Sequence, residues 1–285
     1  MSHPLLVDAA WLHEHLADPG IRVLDATTFL TQPEGDGYYD VESGRQAYEK
    51  AHIPGAAFAD LLHDLADPDA ATTFTALDSA AFAAKIGALG VGPDTHVVIY
   101  DQGPNVWATR LWWNLRYEGF DSVSVLNGGL PAWTAAGHET RTGTESYPAA
   151  EFVASRRPEL LATQSDVLAA IDAPDTILVN SLDPDTFSGK RVTYARPGHI
   201  PSSVNIPFIN LADANGFKSP EEVRPLFDSA NTLDPTKKVI TYCGSGIAAT
   251  GLAFHLALLG RPNVAIYDGS LTEWSANPTL PLQTT

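Results

Sequence analysis

Cysteine is nearly absent from this chain: one residue in 285, Cys243. A single cysteine excludes an intramolecular disulfide, a CxxC redox pair and any metal site built on several thiolates. Positive charge is scarce as well, with 17 Lys+Arg against 34 Asp+Glu and a formal net charge of −17. Such a surface repels polyanions, which argues against nucleic acid and anionic membranes as partners. A small anion stays admissible, because a helix N-terminus or one arginine overrides the net field at short range. No run approaches the roughly 18 consecutive apolar residues of a membrane-spanning helix. The opening residues lack the basic-then-apolar order of a secretory signal, so a cytoplasmic location is the expectation. What is present, 44% hydrophobic and 18% charged residues, is a globular composition long enough for one large domain or two ordinary ones.

The chain is written twice. Tyr48–Ala56 reads YEKAHIPGA and Ala195–Asn205 reads ARPGHIPSSVN. Val97–Asp101, VVIYD, is matched by Val239–Cys243, VITYC, each followed by a helical pattern (107–117 and 247–259). VSVLNGGLPAW (Val123–Trp133) is matched by VAIYDGSLTEW (Val264–Trp274). Four landmarks in one order at nearly equal intervals are a tandem duplication. Short β-branched runs predict buried strands at 23–26, 97–100 and 123–126, and again at 177–180, 239–242 and 264–267. Their alternation with helical stretches such as 79–89 predicts an α/β fold, each copy a mostly parallel sheet flanked by helices. Residues 1–140 are expected to form the first domain, 141–157 a polar aperiodic linker, and 158–285 the second domain.

Cys243 stands directly after the strand VITY and before Gly244-Ser245-Gly246 and a strong helix pattern. That places it at the carboxyl end of a parallel strand, where open α/β sheets bind ligands. Glycines on both sides of a serine let the backbone curl its N–H groups inward, with a helix N-terminus behind. Both effects favour thiolate over thiol. An inert core cysteine would make no use of those glycines.

Strand, then Cys243-Gly244-Ser245-Gly246-Ile247-Ala248-Ala249, then helix resembles the active loop of the two-domain rhodanese family. The resemblance spans nearly the whole chain, including HIPG, NIPF (Asn205–Phe208), SPEEVRPLF (Ser219–Phe227) and YDGSLTEW (Tyr267–Trp274). It implies a sulfurtransferase with a persulfide on Cys243, the loop 244–249 binding that anion, and no metal or organic cofactor. It implies an inactive first copy, in which Asp101 takes the position of Cys243. Cys-Gly-Ser-Gly is the loop of the family's 3-mercaptopyruvate enzymes, so that donor is implied, with thiosulfate the alternative. Cyanide, a thiol or a thioredoxin-like protein is the implied acceptor, and the chain is implied to be a monomer. A sulfur-relay carrier with little turnover of small donors and a regulatory binding module are the readings from other classes. Cysteine phosphatases of the same fold need Cys-x5-Arg; here the sixth residue after Cys243 is Ala249.

Around the sulfur, Ser245 is expected either to relay a proton or to cap the helix, and His52 either to join that relay or to fix its own loop. His199, its counterpart, is read as structural. Trp107, Arg110 and Phe208 are placed near the pocket by the resemblance, with Arg110 the partner of substrate or of an interfacial carboxylate. One departure stands out: Leu182 and Thr186 occupy positions where the family carries arginines. Lys190, Arg191 and Arg196 are the substitutes available nearby, Arg191 being the expected pocket residue.

Overall fold

The computed structural model describes residues 3–213 and 215–285. The first half supplies β1 (Leu6–Val7), β2 (Ile21–Asp25), β3 (Thr28–Thr31), β4 (Asp40–Ser43), β5 (Ala57–Phe58), β6 (His96–Tyr100) and β7 (Val123–Leu126). Five of them form a sheet in the order β1-β7-β6-β2-β5, parallel at every pairing. The second half supplies β8 (Leu161–Ala162), β9 (Thr176–Asn180), β10 (Val204–Asn205), β11 (Ala212–Asp213), β12 (Gly216–Phe217), β13 (Lys238–Tyr242) and β14 (Ala265–Tyr267). Its sheet runs β10-β9-β13-β14-β8, again all parallel, and read from the other edge it repeats the first. The interior strands are the expected β-branched runs: covered on both faces, they need no polar alternation. The edge strands are two residues long and left no periodic signal in the sequence.

The halves meet through the helices that follow β6 and β13, Val106–Tyr117 and Ile247–Leu258, both buried almost all round. Burial on every side is why the second reads IAATGLAFHLAL, without a polar face. Trp112 meets Phe254 edge-on with centroids 5.0 Å apart. The hydroxyls of Thr109 and Thr250, equivalent in the repeat, lie 3.1 Å apart. One apolar core continues from Leu24 and Ile99 through this contact to Val179 and Ile266. Each large side chain in it contributes about 1.5–3 kcal/mol, so the halves hold together by the same force that folds each of them.

Two connections pack more closely than the sequence suggests. The polar segment 141–157 is an ordered strap along the first half: the Tyr147 hydroxyl accepts the Val23 N–H at 3.0 Å, and the Ser155 N–H donates to Glu118 O at 2.8 Å. The hairpin of β3 and β4 reaches across to the second half, where Asp36 accepts the Val192 N–H at 2.8 Å. That hairpin forms one wall of the site.

Candidate active site

β13 ends at Tyr242 and its helix begins at Ile247, so Cys243, Gly244, Ser245 and Gly246 turn the chain at the carboxyl end of a central parallel strand. Gly246 takes φ +75°, and a Cβ there would lie 2.5 Å from Asp268 Oδ1. A Cβ on Gly244 would lie 1.9 Å from the Tyr194 hydroxyl. Glycine is required at both positions by space, and at Gly246 by backbone conformation too.

The loop is clamped from behind by Ser270. Its Oγ accepts the N–H of Cys243 at 3.0 Å and of Gly246 at 3.2 Å, and donates to Tyr267 O at 2.7 Å. Ser270 holds φ +48°, left-handed backbone that costs a residue with a Cβ about 1–2 kcal/mol. A second prop comes from the first half. Arg110 Nη1 lies 2.5 Å from Asp268 Oδ1 and donates to Gly246 O at 3.2 Å, while Nη2 donates to Phe74 O at 2.6 Å. Asp268 also accepts the Ala76 N–H at 2.9 Å, so one buried ion pair ties the active loop to both halves.

With those bonds made, the N–H groups of Gly244, Ser245, Ile247, Ala248 and Ala249 have no acceptor among the described residues. The first turn of a helix leaves such donors free by construction, and they favour an anion. In the first half the equivalent donors are already occupied. Asp101 Oδ1 accepts the N–H of Gly103 at 2.8 Å and of Asn105 at 3.0 Å; Oδ2 accepts those of Trp107 and Ala108, each at 3.0 Å. Burial pushes the Asp101 carboxyl up, and these four donors pull it back down.

Cys243 is 2% exposed and lines a cavity of about 390 Å³. Gly244, Ser245, Ile247 and Ala248 share its floor; Thr28, Phe29, Leu30, Tyr39 and Trp107 wall it from the first half. The Tyr39 hydroxyl donates to Ser245 Oγ at 2.7 Å. Burial pushes the Tyr39 phenol up, so it stays protonated and leaves the Ser245 proton free for a ligand. The Tyr38 hydroxyl follows, 3.1 Å from that of Tyr39 and 3.0 Å from Thr272 Oγ1, and reaches the surface. Thr272 in turn donates to Gly244 O at 2.7 Å.

Of the residues singled out by sequence, Cys243, Gly244, Ser245, Ile247, Ala248, Trp107 and Phe208 line this cavity, while Gly246 and Ala249 lie behind it. Two expectations need correction, His52 in a proton relay and Arg191 in the pocket. His52 is not in the lining: its Nδ1 donates to Tyr48 O at 2.8 Å, its ring stacks on Tyr48, and its backbone bridges to Arg141. His199 repeats the arrangement with Phe187 and Gln283. Both histidines of the HIP repeats therefore pin a chain segment. Of the two partners expected for it, Arg110 meets the interfacial carboxylate, Asp268; it props the loop and does not line the cavity. Arg191 does not line it either and lies 3.7 Å from Asp183; Lys190 pairs with Asp185, and Arg196 donates to four backbone carbonyls. Nothing replaces the missing arginines. Leu182 lines the cavity, and the Thr186 hydroxyl donates to Asp183 at 2.7 Å. Sequence reasoning missed Ser270, Tyr39, Tyr194 and Thr28 altogether.

The geometry can be set beside known proteins. The rhodanese-like domain model matches residues 8–136 and again 163–277. The chain is similar to thiosulfate sulfurtransferase of Bos taurus, 36% identical over 283 residues, covering 94% of this chain and 91% of that one. It is about as similar to 3-mercaptopyruvate sulfurtransferase of Escherichia coli strain K12, 34% identical over 287 residues and covering 99% of each. The crystal structure of SseA from Escherichia coli superposes with a TM-score of 0.83 at 33% identity, over 94% of this chain and 99% of that one. The cysteine loop, the doubled parallel sheet and these likenesses agree: the chain belongs to the rhodanese-like family, with two copies of the domain in tandem.

Proposed function

We propose that this sulfurtransferase carries sulfane sulfur as a persulfide on Cys243, with 3-mercaptopyruvate as its donor. The observation that carries the reading is a cysteine in a cavity beside unpartnered amides whose counterparts in the first half already hold an anion. In the first half-reaction the Cys243 thiolate attacks the donor's sulfur. The S–S bond forms as the C–S bond breaks, the electron pair leaves on the pyruvate enolate, and the proton of the donor's thiol passes to that carbon. The free amides of the loop hold the charge on the outer sulfur. Ser245, fixed by Tyr39, donates to the donor's carbonyl or relays that proton. Cyanide, a thiol or a thioredoxin-like protein then removes the outer sulfur.

Residues 1–140 serve as an inactive copy, 141–157 as the connection and 158–285 as the catalytic domain. Thiosulfate is the second reading, supported by the name of the bovine relative. A cavity without a cation favours the monoanionic keto acid over the dianion, since an unpaired charge is costly to desolvate. Thiocyanate formation from each donor with cyanide tests this, for the wild type and Cys243→Ser. The expected outcome is turnover with 3-mercaptopyruvate above thiosulfate and a loss of at least about 10⁴-fold in the variant, the scale of removing a nucleophile. Activity surviving in Cys243→Ser would sink the mechanism; sulfur accepted only from a protein donor would make the chain a relay.

A further inference from the structure

The cavity over Cys243 is larger and less polar than a small anion requires. Among the described residues, no Asp, Glu, Lys, Arg or His lines it. Its volume, about 390 Å³, lies in the range of sites that enclose organic molecules of many atoms. The cations that sequence placed nearby are engaged elsewhere: Arg110 with Asp268, Arg191 with Asp183, Lys190 with Asp185 and Arg196 with backbone carbonyls. Leu182 presents an aliphatic wall where an arginine would have faced an anion. At the mouth, Phe29 and Leu30 are each 42% exposed, apolar surface with no covering side chain. Apart from Cys243, the polar side chains present are neutral: hydroxyls and the Gln32 amide.

From these observations we infer that, in the second half-reaction, the cavity accepts a neutral organic thiol with an apolar body and disfavours anionic thiols. The inference rests on the persulfide reading and names the acceptor for it. The apolar body lies against Leu182, Phe208 and Phe29. The acceptor's thiol gives its proton to the outer sulfur of the persulfide anion and, as thiolate, attacks that sulfur. The bond from the acceptor's sulfur to the outer sulfur forms, the bond from Sγ to the outer sulfur breaks, and the electron pair returns to Sγ as thiolate. The proton stays on the transferred sulfur, so the product is an organic hydropersulfide and no further oxidant or reductant enters. Once the persulfide occupies the free amides of the loop, an anionic acceptor brings a second charge into a cavity that offers it no counter-ion.

The test loads Cys243 with an excess of donor, confirms one added sulfur by intact mass, and follows single-turnover discharge by thiols of similar acidity. 2-Mercaptoethanol, benzyl mercaptan and 3-mercaptopropionate serve as small neutral, apolar neutral and anionic probes. Each buried methylene is worth about fourfold, so benzyl mercaptan should discharge the persulfide roughly 30-fold faster than 2-mercaptoethanol. 3-Mercaptopropionate should be the slowest. Leu182→Arg should move the ratio of anionic to apolar probe toward the anion by at least about tenfold, the scale of a charge-assisted contact. Leu182→Met should keep the wild-type order. Equal rates, a faster anionic probe in the wild type, or reduced thioredoxin outpacing every small thiol would overturn the inference alone. Failure to load sulfur would overturn the persulfide reading beneath it, and shows in the mass before any acceptor is added.

Discussion

The two copies present the same cradle with opposite contents. In the first, the Asp101 carboxyl fills the cradle and four amides close on it. In the second, Cys243 lines a cavity with Gly244, Ser245, Ile247 and Ala248, whose N–H groups have no acceptor among the described residues, while the N–H of Gly246, the counterpart of Asn105, is held by Ser270. The surrounding residues follow suit. Asn105 and Gly246 are equivalent left-handed residues at the helix start, with φ +66° and +75°. Asn105 uses its side chain to lock the turn, donating to Leu126 O at 2.7 Å and accepting the Gly128 N–H at 2.9 Å. Gly246 has no side chain and depends on Ser270 and Arg110 for support. The first copy ties its turn shut from within; the second borrows rigidity from its neighbours.

The sharpest break in this comparison is Gly246→Ala. Left-handed backbone is strained for alanine, and the new Cβ would press on Asp268 and Arg110, so the loop must shift. Amides aimed at developing charge are worth about 10²–10³ each, so transfer should fall by at least about 10³-fold in a steady-state thiocyanate assay. Asn105→Gly, the mirror change, should lower the denaturation free energy by about 1–3 kcal/mol for the two lost buried bonds and leave transfer intact. Equal damage to transfer from both variants would mean the copies do not divide the work this way.

What the sequence revealed, and what it hid, follows from the range of each interaction. β6 and β13 were legible because HVVIY and KVITY are strands buried on both faces, and the loop was legible because its glycines follow a strand directly. Tyr39 was not: it meets Ser245 across 206 positions, carried by a hairpin with no mark of its destination. The role of Arg110 was open for the same reason, since only folding brings Asp268 to it. Ser270 was legible in principle. The alignment of NGGL with DGSL already set it against Gly129, and Gly129 has φ +54°. A serine where the sister copy uses glycine for a left-handed turn is retained for its hydroxyl.

Exchanging that residue, Ser270→Gly, therefore separates strain from function. Loss of the clamp on the Cys243 and Gly246 amides should lower kcat/KM by roughly 10–100-fold, the size of two modest hydrogen bonds acting on loop position. Stability should move little, because relief of about 1–2 kcal/mol of backbone strain offsets the lost bonds. Ser270→Ala keeps the strain and loses the bonds, so it should be lower in both activity and melting temperature. Matching melting temperatures for the two variants would show that φ at Ser270 stores no energy.

The smallest expected effect lies at the strands beside the cradles. β2 ends in Asp25 and β9 in Asn180, each accepting a backbone N–H two residues on, from Thr27 and Leu182, at 2.8 Å. The hydrogen bond is the same; only the first copy carries a titratable group there. Burial, partly opposed by the bonds from Thr27, pushes the Asp25 carboxyl up to about 6. A raised acid is protonated in the folded state while the unfolded chain is already ionised. Its stabilising contribution is complete below about pH 4 and is lost as pH rises to about 6. The Asp101 carboxyl, also raised, acts with the same sign. Buried His96 and His255, pushed down to about 4 chiefly by desolvation, act with the opposite sign, so the wild-type curve alone does not isolate Asp25. The difference between wild type and Asp25→Asn does. Between pH 4 and 6 the variant's unfolding free energy should climb with pH more steeply than the wild type's, by up to about 1.4 kcal/mol per pH unit for one proton. Parallel urea-derived stability curves would place the carboxyl at an ordinary value and leave Asp25 and Asn180 electrostatically equivalent.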